Sequence, residues 1–157
     1  MNVNKKFERF GLTRDDFFEI ADKSKKTSRV IILRTGMEKI EKEMVGLFSI
    51  KGISTCPYGN KMAATVHASF KLPGMQLPIE TTACAHPDNC LNSHTNFVEI
   101  AEKRCKYRLL LKATNLYEHN VFAWYESVDF QNKAVQIEKG KEAINEADKL
   151  LAKGKRN

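Results

Sequence analysis

The chain has 157 residues, a formal net charge of +7 from 26 basic and 19 acidic side chains, and an apolar fraction of 42%. This length suits one domain with its own core, and no run of about eighteen apolar residues predicts a membrane span. The basic excess favours a polyanionic partner such as nucleic acid. The N-terminal residues lack the apolar core of a secretory signal. We therefore expect no membrane association, a cytoplasmic location (host cytoplasm for a viral protein) and four reduced cysteines.

The first part of the chain predicts short helices around one brief strand. Residues 1–12 lack clear periodicity, which predicts a loosely held arm. Thr13 has the character of a helix N-cap with acidic residues after it, so a short helix is expected with an apolar face of Phe17, Ile20 and Ala21. A strand is predicted at 29–33, and a second helix from the helical spacing of Met37, Ile40 and Met44.

The middle of the chain changes to the period of two that is typical of strands. Residues 47–55 alternate loosely, residues 61–72 alternate cleanly, and residues 76–83 form a third candidate. Short turns rich in Pro and Gly join the three segments. The pattern predicts an antiparallel three-stranded β-meander, whose apolar face the long helix that follows must cover.

That long helix is predicted over residues 96–116, and it carries two arginines near its middle. Arg104 and Arg108 lie four residues apart, on one face of the helix. Two interpretations stay open: the arginines form internal salt bridges, or they point into a groove that holds phosphate. Lys103 is a weaker phosphate ligand, because Glu99 is placed to pair with it.

A polar connection at 83–96 precedes the helix and contains a possible metal site. Cys84, His86, Cys90 and His94 are the side-chain types that bind zinc. However, they crowd into eleven residues without a C-x2-C pair, so incidental thiols in a polar loop are the favoured interpretation. There is no phosphate-binding GK[ST] loop and no pair of carboxylates at metal-binding spacing. We expect neither a cofactor nor an enzymatic activity.

Other residues extend a possible nucleic-acid surface beyond the helix. Further phosphate contacts are expected from the lysines of the predicted hairpin, Lys51, Lys61 and Lys71. Bases could stack on Tyr58, Phe70, Trp124 or Tyr125, although these aromatic side chains are equally suited to a core. The aromatic segment 121–130 and the C-terminal helix also raise an alternative, a non-enzymatic adaptor that uses both to bind another protein. The domain is expected to span 1–130, with a charged helix or tail at 131–157.

The order of helix, meander, polar loop and long helix resembles the single-strand DNA annealing proteins of phages, the Red-beta, Erf and Sak groups, and the eukaryotic Rad-fifty-two type. The segment from Glu99 to Arg108 reads E-x-A-E-K-R-x-x-x-R, similar to that family's helix motif. Cys105 and Tyr107 stand where small residues are common. The likeness covers about residues 34–130 in layout.

This resemblance implies a β-β-β-α core that assembles into rings or filaments and anneals single strands without ATP, as a recombination mediator in homologous recombination and DNA repair. It implies single-stranded DNA and further copies of the chain as partners, with a nuclease or a single-strand-binding protein as a third. Arg104 and Arg108 would then bind phosphate or shape the groove.

Overall fold

The structure is a computed structural model that describes residues 3–22, 27–91 and 96–154, the last range with side chains as far as Asn145. It has the predicted α+β class, with two sheets and four helices in the described chain. The elements follow in the order α1 (Val3–Arg9), β1 (Phe17–Asp22), β2 (Thr27–Ile32), α2 (Arg34–Glu43), β3 (Leu47–Tyr58), β4 (Lys61–Lys71), β5 (Ile79–Ala85), α3 (Phe97–Ala113), β6 (Val121–Ala123) and α4 (Val128–Gly154).

The larger sheet is an antiparallel meander in the order β3-β4-β5. Its inner face is the side that carries the buried residues of β4, namely Ala64, Val66, Ala68 and Phe70. The helix α3 packs on this face over β4 and β5 and touches β3 only slightly. The helix therefore covers two of the three strands and leaves β3 largely uncovered.

The sequence pattern does not predict the second sheet, which has the order β1-β2-β6. The expected helix after Thr13 is wrong, because Thr13 begins only a three-residue 3-10 turn, and Phe17 already lies in β1. Thr13 nevertheless caps this turn, since the Asp16 carboxylate accepts hydrogen bonds from the backbone nitrogen and the hydroxyl of Thr13. Antiparallel pairing of β1 with β2 then outweighs the local helix signal.

The N-terminal residues and the start of α4 are both packed more tightly than expected. The predicted loose arm contains α1, and its Phe7 and Phe10 are buried in the main core. At the other end, α4 begins at Val128, and its first turns bury Phe130 and Ala134. The helix therefore starts inside the predicted domain rather than after it.

Candidate nucleic-acid interface

Arg104 lies in the interior rather than at a surface. Only 2% of the residue is exposed, and its guanidinium meets backbone oxygens instead of solvent. Nε donates to the carbonyl of Tyr125 at 2.7 Å, Nη1 to the carbonyl of Cys84 at 2.7 Å, and Nη2 to the carbonyl of Asn89. Nη1 also reaches Oδ1 of Asn89 at 2.9 Å. The geometry corrects the expected phosphate contact, because this residue joins α3 to two other segments of the fold, residues 84–89 and the turn at Tyr125.

Arg108 is largely satisfied by an internal acid. Its Nε and Nη2 approach both carboxylate oxygens of Glu126, the shorter contact being 2.5 Å, while Nη1 donates to the carbonyl of Thr82 at 2.7 Å. Burial alone would lower the pKa of Arg108, yet the hydrogen bond and charge of Glu126 raise it above its ordinary value. The salt-bridge interpretation of the sequence therefore describes Arg108 well, and Arg104 fits neither interpretation.

A third basic residue completes a regular arrangement along α3. Lys112 donates to the carbonyl of Glu80 at 3.4 Å and to the hydroxyl of Thr81 at 3.2 Å. Four residues of helix rise about 6.0 Å, and two residues of strand about 6.6–6.8 Å. Side chains at i, i+4 and i+8 of a helix can therefore reach carbonyls at alternate positions of a strand.

We call Arg104, Arg108 and Lys112 the cationic comb. They bind the carbonyls of Cys84, Thr82 and Glu80 in turn, and all three carbonyls belong to β5. Because β5 is an edge strand, alternate carbonyls have no partner within the sheet. The comb satisfies them, so its charges stabilise the fold and are not free for a ligand. Sequence reasoning missed Lys112, although its spacing from Arg108 repeats that from Arg104 to Arg108.

The remaining basic residues of α3 are also engaged. Lys103 pairs with Glu99 at 2.6 Å, as the sequence spacing predicts, and lies over the ring of Tyr125. The hydrogen bond to Glu99 raises the pKa of Lys103. Lys106 pairs with Glu41 of α2 at 2.5 Å, not with Glu102. The helix that carries the family-like motif thus offers little free positive charge.

The three lysines predicted on the hairpin lie in a different environment. Lys51, Lys61 and Lys71 are exposed, and none makes an ion pair with another described residue. Lys61 opposes Tyr58 at the tip of the hairpin, and Lys71 opposes Leu47 at its base. Lys51 occupies a β-bulge between Ile50 and Gly52. Free positive charge therefore lies along β3 and β4.

The outer face of the sheet, turned away from α3, carries small polar side chains between these lysines. Thr65 of β4 lies opposite Ser54 of β3 and opposite Cys84 of β5, its two neighbouring strands. His67 lies at the centre, with Nε2 at 3.3 Å from Glu80 and Nδ1 at 3.5 Å from the hydroxyl of Thr82. The alternation of residues 61–72 already assigns Thr65 and His67 to this polar face.

Only one of the predicted stacking residues has a well-exposed ring. Tyr58 is exposed and stacks on His86 with ring centroids 4.9 Å apart, while its hydroxyl donates to Asp88. That hydrogen bond raises the pKa of the phenol. Phe70 and Tyr125 are buried, and Trp124 is half-buried against Tyr125. These three rings contribute to packing, which corrects their expected role.

In the described part of the connection after β5, Arg104 and Asn89 make the main side-chain hydrogen bonds. Asn89 Oδ1 accepts from the backbone of His86 and from Arg104, and its amide approaches Cys84. Cys90 is buried, and burial raises the pKa of its thiol although Arg104 opposes the shift. Within the described chain no three His, Cys, Asp or Glu side chains are grouped to hold a metal ion. His94 lies outside the described residues.

The aromatic segment 121–130 is mostly core. Val121, Ala123, Tyr125 and Phe130 are buried, and Val121 to Ala123 form β6. This burial removes most of the apolar surface that the adaptor alternative requires of the segment.

Comparisons with protein families, with characterised proteins and with solved structures find no match for this chain. In the part of the chain that the structure describes, no helix combines the length and apolarity needed to cross a membrane.

Proposed function

We propose that this protein binds single-stranded DNA and, as an oligomer, anneals complementary strands without ATP, and that the β3–β4 hairpin is its DNA-contacting surface. The observation that carries the proposal is the contrast between two sets of basic residues. Those of α3 are bound to carbonyls or carboxylates, whereas Lys51, Lys61 and Lys71 are exposed and unpaired within the described chain.

The chemistry of this surface suits a flexible polyanion. Lysines can neutralise phosphates without fixing a sequence, and serine and threonine hydroxyls can bind phosphate oxygens. The exposed ring of Tyr58 at the hairpin tip offers one stacking partner for a base, worth about 1–3 kcal/mol. The remaining bases of the strand would stay accessible, which annealing requires.

The fold supports the same proposal. The meander β3-β4-β5 followed by α3 is the β-β-β-α arrangement that the resemblance implies. Recombination and repair would be the biological setting. The motif of α3 then has a different role from the one expected, because Arg104 and Arg108 hold the meander to the helix and thereby position the hairpin.

Salt-dependent binding of a labelled oligonucleotide tests the proposal. The variant Lys51→Ala, Lys61→Ala, Lys71→Ala should weaken binding and reduce the slope of log affinity against log salt by about 2, since each contact to a single strand contributes about 0.7. Annealing of two complementary labelled strands should fall in parallel.

A matched control removes the same charge elsewhere. Lys5, Lys42 and Lys139 are exposed on α1, α2 and α4, so the triple alanine variant at these positions keeps the net charge of the hairpin variant. It should bind almost as wild type does. Equal losses in both variants would mean that total charge governs binding, and a wild type that ignores oligonucleotides at low salt would overturn the proposal.

A further inference from the structure

The inner face of β3 is an apolar surface that α3 leaves uncovered. Residues of β3 that oppose the buried side of β4 lie on this face: Phe48 opposes Phe70, Ile50 opposes Ala68, and Ile53 opposes Val66. Val66 and Ala68 are fully buried, but Ile50 is 40% and Ile53 is 51% exposed. We call Phe48, Ile50, Ile53, Thr55 and Met62 the β3 shelf.

The shelf continues into a cavity at each end. Near the hairpin tip, a cavity of about 340 Å³ lies between Thr55, Met62 and the start of α3 at Phe97 and Val98. Near the base, a cavity of about 300 Å³ is lined by Phe48, Phe70, Leu110 and Met44 among others. Together with the shelf they outline a groove beside α3. Contiguous exposed apolar surface of this kind marks an interaction site.

The dimensions of the groove suit a helix. From Phe48 to Thr55 the strand advances seven residues, about 23 Å at the usual rise. A helix of about fifteen residues has the same length. A second helix laid beside α3 would cover the third strand of the sheet, as α3 covers the other two, and would bury Ile50 and Ile53.

The last part of α4 is a helical segment of about this size. The first turns of α4 bury Phe130 and Ala134, and Lys141 still reaches the backbone of Asp15 at 2.9 Å. Beyond it, residues 142–145 are exposed, including Ile144 at 63%. The helix continues to Gly154, about 20 Å past Lys141.

The sequence of this helix end is amphipathic. Ile144 follows Ile137 by seven residues, and Leu151 follows Ile144 by another seven, a spacing that places residues on one face of a helix. The sequence thus gives the last part of α4 an apolar stripe, of which Ile144 is exposed. The helix from Lys141 to Gly154, about 20 Å long, is close in length to the shelf, about 23 Å.

We propose that the last part of α4, residues 142–154, packs on the β3 shelf of a second copy of the chain. This segment does not pack on the β3 shelf of its own subunit, because Ile144 and Ile53 are both exposed there. The helix α4 also runs unbroken through Gly140, so it does not fold back at that residue. The mode is that of an amphipathic helix in a groove. The proposal deepens the oligomer of the proposed function and does not depend on nucleic-acid binding.

Such a contact is head-to-tail, since each copy gives a helix to one neighbour and accepts a helix from another. Contacts of this type close into rings or extend as filaments, depending on the rotation between copies. The outer face of the hairpin, with Lys61 and Lys71, lies on the opposite side of the sheet from the shelf. It would therefore stay open along the whole assembly.

Complementation of two single variants tests this contact. Ile53→Glu places a charge on the shelf, and Ile144→Glu places one on the helix end. Each protein alone should associate at least about tenfold more weakly than wild type in sedimentation velocity, because every contact then contains one damaged half. An equimolar mixture should form a one-to-one dimer, since the helix of the first variant and the shelf of the second remain intact.

The control is Leu77→Glu, at an exposed apolar residue between β4 and β5, which should associate as wild type does. Recovery in the mixture also shows that both variants are folded. A monomeric wild type, normal association of Ile144→Glu, or no recovery on mixing would each overturn the proposal. Normal association of Ile144→Glu combined with loss in Ile53→Glu would indicate direct pairing of β3 edges. Oligonucleotide binding by wild type is measured separately, so failure of the contact and failure of the proposed function give different results.

Discussion

At one edge of the larger sheet the carbonyls of β5 are bound by arginine and lysine side chains, whereas at the other edge the twelve residues of β3 stand mostly in solvent. Unpaired strand edges attract other strands, and proteins usually cover or charge them. The β5 edge is closed from within by the cationic comb. The β3 edge is less fully protected against pairing with another strand, by a β-bulge at Lys51 and by Pro57.

This difference shows that a high density of basic residues in the sequence does not by itself identify a binding surface. The most arginine-rich motif of the chain serves the interior, where Arg104 and Arg108 compensate backbone carbonyls and a buried acid. Three lysines without an ion-pair partner in the described chain, Lys51, Lys61 and Lys71, lie instead on β3 and β4, which carry no comparable basic motif. The lysines of the proposed DNA surface and the β3 shelf both lie on the β3–β4 part of the sheet, away from the closed β5 edge.

The largest effect is expected at the buried end of the comb. Arg104→Met removes the donors to the carbonyls of Cys84, Asn89 and Tyr125, of which that of Tyr125 keeps a donor from Gln131. The loss of these charged hydrogen bonds from a buried side chain should lower the free energy of unfolding by about 3–5 kcal/mol. Urea denaturation measures this. The neighbouring Lys103→Met, at an exposed helix pair, should cost no more than about 0.5 kcal/mol. Similar small losses of unfolding free energy in both variants would mean that the contacts of Arg104 with the β5 carbonyls contribute little to stability.

An intermediate effect is expected at Arg108. The variant Arg108→Met leaves the buried carboxylate of Glu126 without its counter-ion, and we expect a loss of about 2–4 kcal/mol. The double variant with Glu126→Leu should recover part of it, because no unpaired charge then remains. The difference in unfolding free energy between the two variants measures that recovery.

The pH dependence of the Arg108 variant follows from the raised pKa of the guanidinium. Burial opposes its charge, but the hydrogen bond to Glu126 raises the pKa above the ordinary arginine value. A raised pKa means that the stabilisation is complete below the unfolded-state value and is lost only as the pH rises through the folded-state value. The gap between wild type and Arg108→Met should therefore stay constant from neutral to moderately alkaline pH. A gap that closes in this range would contradict the assignment.

The sequence predicts the meander and α3 because their signals are local. The alternation of residues 61–72 and the helical stripe from Phe97 to Ala113 both depend on neighbours within a few positions. The α+β class follows from them and is confirmed. Cys105, which belongs to this helical stripe, is buried beneath the sheet, where its thiol approaches the carbonyl of Val66 at 3.0 Å.

The parts that the sequence does not predict depend on distant partners. β1 is a strand because β2 pairs with it, and β2 in turn pairs in parallel with β6, about ninety residues later. The role of Arg104 is hidden for the same reason, since its acceptors lie fifteen to twenty-one residues away in two different segments. Helical spacing places both arginines on one face but does not tell whether a strand edge or a phosphate chain faces them.

The smallest effect is expected at the exposed end of the comb. Lys112 is only half-buried, and its contacts to Glu80 and Thr81 are long, at 3.4 and 3.2 Å. Lys112→Met should therefore change the free energy of unfolding by no more than about 0.5 kcal/mol. The double variant with Arg108→Met tests whether the comb acts as separate contacts, in which case the two losses add within about 0.3–0.5 kcal/mol. A loss larger than this sum would show that the β5 edge opens as a unit. The carbonyls of Thr82 and Glu80 lose their donors in the double variant, and the remaining contact of Arg104 with Cys84 would then weaken as well.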